Sequence, residues 1–256
     1  MEAFPKMNKS KNPKQGLRLK LLSAIFISVF LLTGCASTST HNDPYENFNR
    51  KVLNFNLKSD KYLLKPAAQA YSKIPSPVRN GIGNFISNLT EPYTVLNDLL
   101  QGKFRKAGRD TGRFVINTTL GLLGLNDVAT HMNLPKQRED FGQTLAVWGV
   151  EEGPYLVLPF LGPSNVRDAV GLVPAYAGAD PVSSLNNSPE RWYALGVRFV
   201  HGRSTLLGTD EVLELQPDKY LFLREGYRQR REIQINDGVI SVSDEEALQD
   251  ELLDED

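Results

Sequence analysis

The chain is 256 residues long and nearly neutral, with 29 Lys and Arg against 30 Asp and Glu. That balance excludes the clear basic excess of a nucleic-acid binder. A single cysteine excludes an internal disulfide and a multi-thiolate metal site.

Lys6, Lys9, Lys11, Lys14, Arg18 and Lys20 precede an apolar run over 21–32, and Leu32-Thr33-Gly34-Cys35 follows. A basic n-region, an apolar h-region and a small-residue cleavage site make a secretory signal. Small residues directly before Cys resemble the bacterial lipobox. The pattern predicts a signal peptide over 1–34, cleavage after Gly34 and lipid on Cys35. The h-region is shorter than the roughly 20 apolar residues that span hydrocarbon. Ala36, rather than Asp, in the second position resembles the sorting pattern of outer-membrane lipoproteins.

Residues 35–42 read as a lipidated, Ser/Thr-rich tether. Asp43-Pro44 then opens a predicted helix over 45–64, with Asp as N-cap and Pro in the first turn. Phe48, Val52, Phe55 and Tyr62 recur on one face, with Asn49, Asn56, Asp60 and Lys61 on others. Breaks are expected at Pro66 and at Pro75-Ser76-Pro77. A short helix over 78–89 is expected to be interrupted by Gly81 and Gly83, and Glu91-Pro92 to open another, ended by Gly102. The clearest helix follows. Phe104, Ala107, Gly108, Thr111, Phe114, Val115 and Thr118 keep helical spacing, and Arg105, Arg109 and Arg113 run along another face. Gly121 and Gly124 break the chain again.

A helix over 140–150 carries Phe141, Leu145 and Trp148 on one side. The apolar stretch over 155–161 is bounded by prolines, so a buried or membrane-facing loop is expected rather than a central strand. Ser164 is expected to cap a helix through Val170, and 171–181 to be loop. Ser188-Pro189 opens a further helix, and 210–215 and 217–235 are the last. The final one separates Tyr220, Leu223 and Tyr227 from Arg224, Arg228 and Arg231. The end of the chain, 237–256, is predicted to be an acidic disordered tail, with no Lys or Arg after Ser241. The fold class is all-α, in helices shorter than a membrane span, joined by Gly/Pro-rich segments.

Catalytic signals are absent. His41, His131 and His201 belong to no metal or hydrolase motif, and Ser164 follows a Gly-Pro turn without an identifiable base. Asp140 and Asp168 read as capping or salt-bridge residues. No metal, cofactor or enzymatic activity is expected. The arginines at 105, 109 and 113 have two readings: guanidinium groups for lipid phosphate, or a solvated face on which Lys106, Asp110 and Arg113 pair along the helix; the same two readings apply to Arg224, Arg228 and Arg231.

Several blocks in order resemble the VacJ/MlaA lipoproteins. They are Asp43-Pro-Tyr-Glu-Asn-Phe-Asn-Arg50, Asn54-Phe55-Asn56, Asn88-Leu-Thr-Glu-Pro92, Leu99-Leu-Gln-Gly102, Glu139-Asp-Phe-Gly-Gln-Thr-Leu145 and Gly153-Pro-Tyr-Leu-Val-Leu-Pro159. The resemblance is dense over 43–181. It implies a ring of amphipathic helices lying in one leaflet of the Gram-negative outer membrane, with an amphipathic central channel formed by 43–236. It implies a place beside a trimeric porin. It also implies passage of strayed phospholipids to a soluble periplasmic carrier that feeds an inner-membrane ATP-driven transporter. On that picture Asn54, Phe55 and Asn56 border the channel, Gly81 and Gly83 are hinge points, and Tyr155, Leu158 and Phe160 meet acyl tails. The rival expectation is an assembly lipoprotein that supports a porin or envelope complex.

Overall fold

The computed structural model describes residues 43–182 and 189–238. The signal segment, Cys35, the tether and the stretch from Ser241 lie outside the described residues. The chain divides at Pro44, and every described helix and strand belongs to the unit that begins at Tyr45.

Helix α1 (Glu46–Ser59) runs through a π-turn (Asp60–Leu64) into α2 (Lys65–Ser72). The expected break at Pro66 is therefore absent. Proline offers no N–H to a helix, and the widened turn before it lets the chain continue with Pro66 at the start of α2. Helix α3 (Ser76–Leu100) is continuous through Gly81, Gly83 and Pro92, where two helices were expected. An internal proline costs about 3 kcal/mol in an isolated helix. Here the turns around it are held by packing, with Asn88, Glu91, Thr94, Asn97 and Asp98 buried.

Helix α4 (Phe104–Thr119) packs along α3, and short α5 (Val128–His131) closes over α4. After α6 (Phe141–Val147) the apolar stretch forms a β-hairpin. Strand β1 (Tyr155–Leu158) pairs antiparallel with β2 (Gly162–Asn165), Leu158 opposite Gly162. The loop expectation was wrong because a two-stranded ribbon consists of edge strands, which accept Pro163. Helix α7 (Val166–Pro174) starts at Asn165, which accepts the Asp168 N–H at 2.7 Å, so the cap is Asn165 and not Ser164. It continues through Gly171, where loop was expected. Helices α8 (Pro189–Thr205), α9 (Asp210–Glu214) and α10 (Lys219–Ile235) fall close to their expected positions.

The neighbour relations close on themselves. Helix α1 touches β1, β1 touches α7, α7 lies on α6, α6 on α3, α3 on α8, α8 on α2, and α2 returns through the π-turn to α1. No described helix is long and apolar enough to cross a membrane.

Candidate functional site

Burial in this unit runs opposite to that of a water-soluble helical domain. Of the largest fully buried side chains among the described residues, only Val157 is apolar; the rest include Arg113, Gln143, Glu91, Asn49, Asn97, Asp98 and Asp110. Phe104, Leu120, Leu122, Leu123, Phe160, Trp192 and Tyr193 all stand exposed. Helix α4 shows the inversion locally. Its buried stripe is Ala107, Asp110, Arg113 and Asn117, whereas Phe104 and Val115 face outward. A buried charged stripe opposite an exposed apolar one is the informative case, since single exposed apolar residues are ordinary.

The buried polar groups are organised by helix caps. Asp127 caps α5 by accepting the Thr130 N–H, and the same carboxylate takes Arg113 and Asn117. Arg113 Nε donates to Glu91 at 3.1 Å, and its other nitrogens reach Thr130 and the Leu134 carbonyl. Burial opposes ionisation of Asp127, but Thr130, Asn117 and Arg113 hold its carboxyl down to about 2. Burial raises Glu91 above the ordinary carboxylate range despite Lys136 and Arg113, and lowers Lys136 to about 8.

A second knot forms on Arg231. Asp140 caps α6 through the Gln143 N–H and takes two nitrogens of Arg231 at 2.6 and 2.7 Å. Asp168 accepts from the same guanidinium at 2.9 Å and from the Tyr227 hydroxyl. Asp140 and Asp168, unconnected by spacing, are thus joined by α10. The joint needs glycine: a Cβ on Gly142 would lie 2.4 Å from Arg231, and one on Gly171 would lie 2.6 Å from the Gly142 nitrogen. Asp218, the cap of α10, takes Arg50 of α1 at 2.7 and 3.0 Å, which holds its carboxyl at about 2.

The hairpin is docked onto α1 by two asparagines. Asn49 donates to the Tyr155 carbonyl at 3.0 Å and accepts the Val157 N–H at 2.9 Å. Asn56, two turns on, donates to the Leu158 carbonyl at 2.9 Å and accepts the Phe160 N–H at 2.8 Å. Phe160 is in the left-handed region (φ 62°), which a bulky side chain rarely adopts, and the Asn56 bond holds it there. Its ring meets Phe55 edge-on at 5.1 Å, and both remain exposed.

Phe55, Asn56, Leu158 and Phe160 therefore share one place. Asn54 is exposed and makes no bond with the hairpin. Tyr155 is buried with Leu53, Val157 and Tyr220, so it is a core residue, not a surface for acyl tails. Arg105, Arg109 and Arg113 do not form one phosphate-binding face. Arg105 is exposed, Arg109 pairs with Asp110 at 3.0 Å, and Arg113 is enclosed by protein acceptors. Gly81 and Gly83 are not joints either. They lie inside α3, and a Cβ on Gly83 would meet His201 of α8 at 2.4 Å, so that glycine serves close packing. Asp237, the expected start of the tail, bonds Lys103 at 2.6 Å.

Sequence reasoning missed the roles of Asn49 and Asp127, and Arg231, open with Arg224 and Arg228 to a phosphate-binding or a solvated reading, is instead buried against Asp140 and Asp168. A signal existed for the first: asparagines seven residues apart, at 49 and 56, share a helix face and can serve one extended segment. Among the described residues no cluster of His, Cys, Asp and Glu could hold a metal ion.

The sequence pattern of the MlaA lipoprotein family matches residues 41–234. The intermembrane phospholipid transport system lipoprotein MlaA of Escherichia coli is 38% identical over 245 residues, covering 91% of this chain and 97% of that protein. Its counterpart of the same description in Haemophilus influenzae is 34% identical over 250 residues, covering 93% and 99%. A solved structure described as "Structural basis for maintenance of bacterial outer membrane lipid asymmetry" matches with a TM-score of 0.66 at 36% identity, over 76% of this chain and 100% of that one.

Proposed function

From the chain's membership of the MlaA lipoprotein family, we propose that it removes mislocalised phospholipids from the outer leaflet of a bacterial outer membrane and passes them toward the inner membrane. The observation that carries this reading is the inverted burial. Many of the buried side chains are charged or amide groups bonded to one another, while many large apolar side chains are exposed, as contact with hydrocarbon favours.

On this reading residues 1–34 are removed, Cys35 carries the lipid anchor in the periplasmic-facing leaflet, and 43–236 form the lipid-handling unit. The acyl chains on Cys35 supply membrane affinity, and the apolar surface of the folded unit adds area at the interface. On this reading the lipid route runs through the middle of the closed circuit of helices. Phe55 and Phe160 offer apolar surface to a tail, and Asn56 fixes their geometry. Arg105, the exposed member of its stripe, is the one open to a phosphate. Moving a lipid breaks no covalent bond, so the function needs no nucleophile or metal, and we read the protein as a non-enzyme. A trimeric porin is the proposed neighbour in the membrane, and a soluble carrier the acceptor of the lipid.

The test is the amount of glycerophospholipid exposed in the outer leaflet of intact cells. Deletion is expected to raise it, and the wild-type chain, but not Cys35→Ala, to restore it. An unchanged outer leaflet on deletion would overturn the reading in favour of an envelope-assembly role.

A further inference from the structure

Of the arginines at 224, 228 and 231 along α10, only Arg228 is exposed; the other two are buried. Arg228 opens onto a cavity of about 240 Å³ at the end of α10, completed by Glu152, Arg231, Glu232, Ile235 and Asn236. A site for a whole drug-sized ligand holds roughly 300–1,000 Å³. This one is smaller and suits a polar head group, with any acyl chains left outside it.

The charges around it are unspent. Arg228 Nη2 stands 3.7 Å from Glu152, beyond hydrogen-bond reach, and both side chains are half exposed. Such a pair contributes little to stability and opens at little cost. Glu232 lies four residues after Arg228, the spacing at which a helix pairs opposite charges. Yet among the described residues no ion pair joins the two, and the Glu232 carboxylate accepts no hydrogen bond. Arg231 beside them is already taken by Asp140 and Asp168. The groups left to meet a ligand are one guanidinium and two carboxylates.

Their frame is fixed. The Glu152 carbonyl accepts the Arg167 N–H at 3.1 Å, which pins the chain where it enters the hairpin. Arg228 and Glu232 ride on the helix that Arg231 ties to α6 and α7. Glu232 and Asn236 stand at the C-terminal end of that 17-residue helix, where the helix dipole favours a cation.

We infer that this cavity is a head-group site for a phospholipid whose head is a zwitterion with a primary ammonium group, phosphoethanolamine. The phosphate takes Arg228 through paired N–H donors and displaces Glu152 from it. The ammonium, a donor with no acceptor, goes to Glu152 and Glu232 at the negative end of the helix. A phosphoglycerol head would bring the phosphate and leave both carboxylates facing an anion. A phosphocholine head has no N–H to give, and the cavity lacks the aromatic walls that hold a quaternary ammonium. The charged cavity lies at the base of the hairpin, and Phe55 and Phe160 meet at its tip. Head and chains thus find their surfaces in the order in which an amphiphile carries them. The inference rests on the phospholipid reading above and names the class of lipid and the residues that select it.

The full-length lipidated protein in detergent is offered equal amounts of phosphatidylethanolamine, phosphatidylglycerol and phosphatidylcholine, and retained lipid is counted by native mass spectrometry. The ethanolamine lipid should be retained severalfold over the other two. Glu152→Gln with Glu232→Gln should remove that preference while total retention holds. Arg228→Gln should lower retention of the ethanolamine lipid severalfold. All three side chains are exposed, so the melting temperatures of these variants should match that of the wild type. Excess glycerophosphoethanolamine should displace the ethanolamine lipid, and inorganic phosphate should not. A preference untouched by the paired glutamate change, equal retention of the choline lipid, or displacement by inorganic phosphate would each overturn the inference. If the preference follows these residues while deletion of the protein leaves outer-leaflet phospholipid unchanged, the transport reading fails and the head-group site stands.

Discussion

Arg113 and Arg231 are both buried arginines that gather carboxylates, but they tie the chain over different distances. Arg113 binds Glu91, Asp127 and Thr130, all within about two dozen positions, and consolidates α3, α4 and α5. Arg231 reaches Asp140 and Asp168, which lie 91 and 63 residues away, and joins the last helix to α6 and α7. The first knot makes a local slab rigid; the second closes the fold. Their surroundings differ too. Glu91 is almost wholly enclosed, whereas 45% of the Asp140 side chain remains open. Breaking a buried pair costs most when the stranded partner cannot reach water.

The largest expected effect is therefore Arg113→Met, which strands Glu91. It should cost about 3–5 kcal/mol, read from denaturant unfolding in detergent, and a loss below about 1 kcal/mol would refute the slab picture. Arg231→Met should cost less, roughly 2–3 kcal/mol, because Asp140 regains water and buried Asp168 keeps Arg167 at 3.1 Å. Hydrogen exchange should then show α10 opening while α3 and α4 stay protected. Equal exposure of both regions would abolish the distinction between local and closing knots.

Acid should separate the two knots without mutation. Asp140 is held below its ordinary value, burial opposing and Arg231 prevailing. A depressed carboxylate stabilises the fold above its unfolded pKa of about 4, and that stabilisation is lost as pH falls through the folded value. Asp127 behaves alike, but Glu91 in the same knot has the opposite sign: its raised pKa makes protonation favour the folded state. Below about pH 4 the Arg231 knot should loosen before the Arg113 knot, seen as earlier exchange in α10.

Smaller effects belong elsewhere. Asn56→Ala should cost about 1–2 kcal/mol and partly impair lipid removal, since it frees the strained Phe160 tip. Asp98 is pushed up to about 7 by burial, with Asp110 and Glu139 adding to it. The folded state then keeps a proton that the unfolded chain has lost, so stability declines as pH rises from about 4 to about 7. Asp98→Asn should flatten that slope, measured as melting temperature against pH.

The helices were largely legible because hydrophobic spacing and caps are local signals: 104–118 and 217–235 both lie where their periodicity and termini put them. Direction was not legible. A 3.6-residue period identifies an apolar stripe but is silent on whether it faces protein or solvent, and in α4 the charged stripe is the inner one. Pro92 and Gly81 read as breaks because their penalties are local, while the packing that offsets them comes from residues distant in the chain. The hairpin escaped because prolines at 159 and 163 argue against a central strand, which a two-stranded ribbon does not contain. At the site, Phe55, Asn56, Leu158 and Phe160 were found through family resemblance. The double use of Asp127, Asp140 and Asp218, as caps and as arginine acceptors, depends on three-dimensional meetings that spacing does not encode.

An outward-facing coat of Phe104, Leu122, Leu123, Trp192 and Leu215 also bears on how such a protein is delivered. For most proteins folding hides the sticky residues and ends the danger of aggregation. Here folding completes the sticky surface, so the finished molecule is most vulnerable in transit. In water such a surface needs a cover, whether detergent, lipid or protein, and its removal leaves the leucines free to find one another.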